Sequence, residues 1–66
     1  MRLIINGEAR EVEGPLTLAA LIHQLELVPE RLAVERNREV VRRADWPHTP
    51  LAEDDRVEII HFVGGG

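Results

Sequence analysis

The last four residues, Val63-Gly64-Gly65-Gly66, follow an apolar residue with three consecutive glycines. With no Cβ on three successive residues, such a segment can thread a channel too narrow for side chains, although glycine loses more backbone freedom on ordering than any other residue. The working group this implies is the free α-carboxylate of Gly66, with Val63, Gly64 and Gly65 as the stretch that occupies a partner's channel. A terminal carboxyl has a pKa of about 3.5, so at neutral pH it is ionised and can attack the α-phosphate of a nucleotide.

Other residues with chemical potential read more plainly. His23, His48 and His61 share no metal-ligand spacing and are expected at the surface, His61 close to the tail. Glu53-Asp54-Asp55 lacks the ligand count and alternate spacing of a calcium loop and reads as a solvated turn. Trp46 is expected to pin a loop onto the core. No metal site is expected. Cysteine is absent, so there is no disulfide framework, no thiolate nucleophile and no cysteine-based zinc site. All eight basic residues are arginine, so the chain offers no lysine amine on which to build polymers of itself.

Sixty-six residues make one small domain with one core. That size disfavours a walled catalytic pocket, so function is expected at the surface or a terminus, in a carrier or binding module that is not itself an enzyme. A formal charge of −4 and a pI near 5.2 argue against a nucleic-acid partner. No segment approaches a secretory signal or a membrane span, so the expected location is the cytoplasm, with no membrane partner.

The elements that must position the tail follow from periodicity. Arg2 to Ile5 and Glu8 to Glu13 flank Asn6-Gly7, the signature of a type I′ hairpin. Thr17 is placed to cap a helix over Leu18 to Leu25, whose Leu18, Leu21, Ile22 and Leu25 form one apolar stripe. Pro29 stops the helix from continuing, and Leu32 to Arg36, a turn at Asn37-Arg38 and Val40 to Arg42 form a second hairpin. Arg56 to Phe62 is the last strand. The order ββαβββ predicts an α+β chain, a β-grasp architecture with a mixed sheet of four to five strands and one main helix packed across it. The first and last strands are expected side by side and parallel, because a helical crossover separates them. Alternation puts Leu3, Ile5, Val12, Val34, Val57 and Ile59 toward the helix. Ile4, Ile60 and Phe62 fall on the opposite face, where they are expected to form a docking patch for a partner. The domain is expected over residues 1–62, with residues 63–66 as a flexible glycine tail.

Several of these residues resemble the ThiS family, the sulfur carriers of thiamin thiazole biosynthesis within the ubiquitin-like β-grasp group. The resemblance covers essentially the whole chain: Asn6-Gly7-Glu8, the Leu18/Leu21/Leu25 helix, Ala33-Val34 leading to Asn37, Val40-x-Arg42, Trp46, Leu51, and above all Val57 through Gly66. One departure is Asp54-Asp55, where the family usually has Gly-Asp. The resemblance implies a carrier whose Gly66 carboxylate is adenylated by an E1-like, ThiF-like enzyme using MgATP, with no cofactor held by the carrier. Sulfur from a cysteine desulfurase or a similar relay enzyme would then give a thiocarboxylate that serves a ThiG-like thiazole synthase. Sulfur delivery to molybdopterin or to tRNA, and a role as a ubiquitin-like modifier or interaction module, are the alternatives.

Overall fold

The computed structural model describes residues Met1 to Phe62. The elements are β1 (Arg2–Ile5), β2 (Glu8–Glu11), α1 (Leu18–Gln24), a 3₁₀ turn (Pro29–Arg31), β3 (Leu32–Arg36), β4 (Glu39–Val41), a second 3₁₀ turn (Arg43–His48) and β5 (Arg56–His61). They form a five-stranded sheet in the order β2-β1-β5-β3-β4. β5 therefore lies in the centre, parallel to β1 and antiparallel to β3. This is the ββαβββ, mixed-sheet arrangement that the sequence predicts.

Local chemistry explains each boundary. Asn6 and Gly7 take φ of 49° and 83°, the two positive values a type I′ turn requires, and the pairing Ile5↔Glu8 closes a two-residue hairpin. Asn37 and Arg38, at φ 51° and 71°, repeat the device between β3 and β4. β2 stops at Glu11, short of the expected Glu13, because its partner β1 begins at Arg2, opposite Glu11. β4 is shifted by one residue to Glu39–Val41, and β5 ends at His61.

The Thr17 hydroxyl accepts from the Ala20 N–H at 3.1 Å, as expected of an N-cap. The helix closes one residue early, in a Schellman motif. Glu26 takes φ 58° and its N–H donates to the His23 carbonyl, while the Leu27 N–H donates to the Ile22 carbonyl. That reversal turns Leu25 and Leu27 back over the sheet.

The core lies between α1 and one sheet face. Leu3, Ile5, Val34, Val57 and Ile59 from the strands meet Leu18, Leu21 and Ile22 from the helix, and Val12 packs partly buried against them. Trp46 is buried and its Nε1 donates to the Val41 carbonyl at 2.9 Å, so the ring pins the second 3₁₀ turn as expected. Among the described residues no helix is long and apolar enough to cross a membrane.

Candidate functional site

The site is best read along β5, because this strand leads directly to the glycines. Its upstream half is held on both sides. The Ile4 N–H donates to the Asp55 carbonyl and the Asn6 N–H to the Val57 carbonyl, each at 2.9 Å. Where β1 turns away, the Asn6 side chain replaces it. Its Oδ1 accepts from the Ile59 N–H at 2.7 Å and its Nδ2 donates to the Ile59 carbonyl at 3.3 Å. On the other side, the Asn37 N–H donates to the Arg56 carbonyl at 2.7 Å and its Oδ1 accepts from the Arg56 N–H at 2.9 Å. Two asparagines thus complete a ladder that the strands alone leave open, which follows from the need to pair backbone groups away from water.

The turn entering β5 is less solvated than its composition suggests. Asp55 is buried, and its carboxylate accepts from Asn37 Nδ2 at 3.0 Å and from the Ala52 N–H at 2.8 Å. Reading Glu53-Asp54-Asp55 as one solvated turn is therefore wrong for Asp55, whose charge organises the loop. Asp54 takes φ 67° and its Oδ1 accepts from Arg2 Nε at 2.6 Å. That hydrogen bond, with the guanidinium charge beside it, holds the Asp54 carboxyl below the ordinary carboxylate range and raises the Arg2 pKa.

The downstream end differs. Ile60 is 49% exposed and Phe62 56% exposed, side by side on the face away from the helix. Ala33 lies directly across from Ile60, and the Phe62 N–H is tied to the Arg31 carbonyl at 2.8 Å. Ile4 shares that face but does not join them. It is partly buried and registers with Arg56, four residues upstream of Ile60, or about 13 Å along the strand. Arg56 stands beside Ile4, and Glu58 lies between it and Ile60. The structure thus brings together Ile60 and Phe62 of the expected patch and leaves Ile4 apart. Val63, Gly64, Gly65 and Gly66 lie outside the described residues.

On the helix side of the same strand end, Ile5, Asn6, Arg10, Leu25, Leu27, Ile59 and His61 line a groove of about 280 Å³. Sequence reasoning left this groove out. One signal was available: the Asn6-Gly7 hairpin fixes Arg10 opposite Leu3, and so on the helix side of β2, beyond the reach of a two-turn helix. His23, His48 and His61 are all exposed, as expected.

The comparisons with known proteins match this geometry. The model of the ThiS family matches residues 3–66. A thiazole synthase of Magnetococcus marinus is 44% identical over 66 residues, a match that takes in all of this chain and 20% of that protein. The sulfur carrier protein ThiS of Bacillus subtilis is 36% identical over 50 residues, 76% of each chain. The crystal structure of the thiamine biosynthesis protein ThiS from Geobacter metallireducens superposes with a TM-score of 0.86 at 35% identity, covering 100% of both chains. The chain spans about a fifth of the length of the thiazole synthases it matches.

Proposed function

The chain belongs to the ThiS family, and from that premise we propose that it is a sulfur carrier of thiamine biosynthesis whose working group is the Gly66 carboxylate. An E1-like enzyme supplies MgATP and the catalytic residues. The ionised carboxylate attacks the α-phosphate, pyrophosphate leaves, and a Gly66 acyl-adenylate forms. The terminal sulfur of a persulfide, formed by a cysteine desulfurase or a similar relay enzyme, attacks the acyl carbon and AMP departs. A thiol then attacks the persulfide's inner sulfur in the resulting acyl disulfide; a new disulfide forms between the thiol and that sulfur, the old S–S bond breaks, and its electron pair leaves a thiocarboxylate on Gly66.

The observation that carries this reading is the course of β5. A strand anchored on both sides delivers its end, through exposed Ile60 and Phe62, to the point where the glycines begin. Four further residues extend at most about 14 Å, so an enzyme that takes Gly66 into its site must lie against this end of the domain. Ile60 and Phe62 are the docking surface we assign to the adenylating enzyme, without Ile4, which the register sets apart. The thiazole synthase relatives favour thiazole formation as the destination of the sulfur over molybdopterin or tRNA. A thiazole synthase is accordingly the proposed acceptor.

Intact mass spectrometry tests the reading. The chain is incubated with an E1-like adenylating enzyme, MgATP, a cysteine desulfurase, cysteine and a thiol reductant. The expected result is a mass gain of one sulfur in place of one oxygen, mapped to Gly66 and lost on deletion of Gly66. An unchanged mass with an enzyme mixture that charges another carrier would overturn it and favour a plain interaction module.

A further inference from the structure

The backbone of β5 has a direction at each residue, and at His61 that direction meets no partner. The Asn37 N–H bonds the Arg56 carbonyl and the Phe62 N–H bonds the Arg31 carbonyl, so even-numbered residues of this strand address β3. Odd-numbered residues address β1. The Val57 carbonyl takes the Asn6 N–H, and the Ile59 N–H and carbonyl are taken by the Asn6 side chain. His61 is the next odd position, and β1 has already turned at Asn6-Gly7. Among the described residues neither its N–H nor its carbonyl has a partner on that side. This is a one-residue stretch of open ladder in the middle of a sheet, offering one donor and one acceptor in the spacing an added strand uses.

The residue with the open ladder, His61, also lines the 280 Å³ groove, whose apolar lining is Ile5, Leu25, Leu27 and Ile59. Its rim carries Arg10, which is exposed and has no ion pair among the described residues. An occupant must therefore supply three things: an extended backbone beside His61, an apolar side chain for the apolar lining and a carboxylate for Arg10.

We propose that an extended segment of the enzyme that adenylates Gly66 adds to β5 at His61, places an apolar side chain in the groove and pairs an Asp or Glu with Arg10. The argument rests on the carrier reading above, which brings that enzyme within reach of the strand end. It differs from the Ile60 and Phe62 surface in using the opposite face of the strand and the backbone itself. Gripping the strand from both faces fixes the direction in which the tail enters the enzyme.

Proline and alanine at residue 61 separate this from a side-chain contact. His61→Pro removes the N–H that faces the opening. It leaves the pairing with β3 intact, because His61 and Leu32 form a non-hydrogen-bonded pair. His61→Ala keeps the N–H and removes the imidazole. In ATP–pyrophosphate exchange with the adenylating enzyme, the expected result is a KM for the carrier raised about tenfold by His61→Pro and by Arg10→Glu, with kcat unchanged and a clearly smaller rise for His61→Ala. Equal behaviour of the proline and alanine variants would overturn the proposal. Amide hydrogen exchange on the unmodified chain gives an independent check: the His61 N–H should become protected on enzyme binding, and an unprotected N–H in the complex would overturn strand addition even if His61→Pro fails to fold. Failure of the parent chain to support exchange would remove the carrier reading and this proposal together, whereas full activity of His61→Pro would remove the proposal alone.

Discussion

The two halves of β5 alternate in opposite phase, apolar at Val57 and Ile59 toward the helix and at Ile60 and Phe62 away from it, and meet opposite fates. From Arg56 to Ile59 the strand is bonded on both sides, with Val57 fully buried and Ile59 7% exposed. From Ile60 onward it is bonded to β3 alone, and its side chains on both faces are open to water. The contrast separates stability from recognition along a single strand. The upstream half holds the domain together, and the downstream half carries the exposed Ile60 and Phe62 of the proposed docking surface. The first expectation is the largest. Ile59→Ala should lose about 2 to 5 kcal/mol, since it removes buried methyl groups facing α1. A domain of this length has a total stability of roughly 3 to 10 kcal/mol, so urea titration should find the variant substantially unfolded. A loss below about 1 kcal/mol would mean that the two halves differ in exposure only.

The boundary between the halves is the Asn6 clamp. Asn6→Ala strips both bonds from Ile59 and puts alanine at φ 49°, a left-handed position that asparagine tolerates better. We expect a loss of about 2 kcal/mol by denaturant titration, with Asn6→Gly recovering only the backbone share. Full recovery by glycine would show that the side-chain clamp adds nothing and that β5 needs no substitute for β1.

Most of the fold could be read from the sequence because its signals are local. Asn6-Gly7, Thr17 and the Leu18/Leu21/Ile22 spacing each fix a turn, a cap or a face within a few residues. The strand faces followed from alternation, and Val57 and Ile59 lie where alternation puts them. What escaped is long-range. Asn6 reads as a turn residue, and nothing within five residues reveals that its side chain also serves Ile59, fifty-three positions away. Asp55 reads as a surface acid until Asn37 and Ala52 surround it. The placement of Ile4 with Ile60 failed on register. Face assignment needs only the period of two, but adjacency along the strand depends on where β1 begins against β5, and the observed pairing is Ile4↔Arg56.

Phe62 sharpens the comparison from its functional side. It is more than half exposed and contributes a backbone bond that survives substitution. Phe62→Asp should therefore change stability by less than about 0.5 kcal/mol. Its effect belongs to the enzyme encounter: the KM for adenylation should rise about tenfold, equivalent to about 1.4 kcal/mol. A normal KM would exclude Phe62 from the docking surface, and a large fall in Tm would place it with the upstream half.

The smallest effect is expected at Asp54, in the turn that launches the upstream half. Glycine suits φ 67° better than any side chain does, whereas aspartate gains a 2.6 Å bond to Arg2. Both side chains of that pair are half exposed, which screens the interaction. Asp54→Gly should then leave Tm nearly unchanged at neutral pH, because the backbone gain and the lost pair oppose each other. Acid separates them. The Asp54 carboxyl is depressed in the folded state, so the stability it contributes is present above its unfolded pKa and is lost as the pH falls through the folded value. Only the backbone difference then remains, and below the carboxylate range Asp54→Gly should be the more stable chain in paired thermal melts. The reverse order in acid would show that this αL position carries no strain, and that aspartate is as comfortable here as glycine.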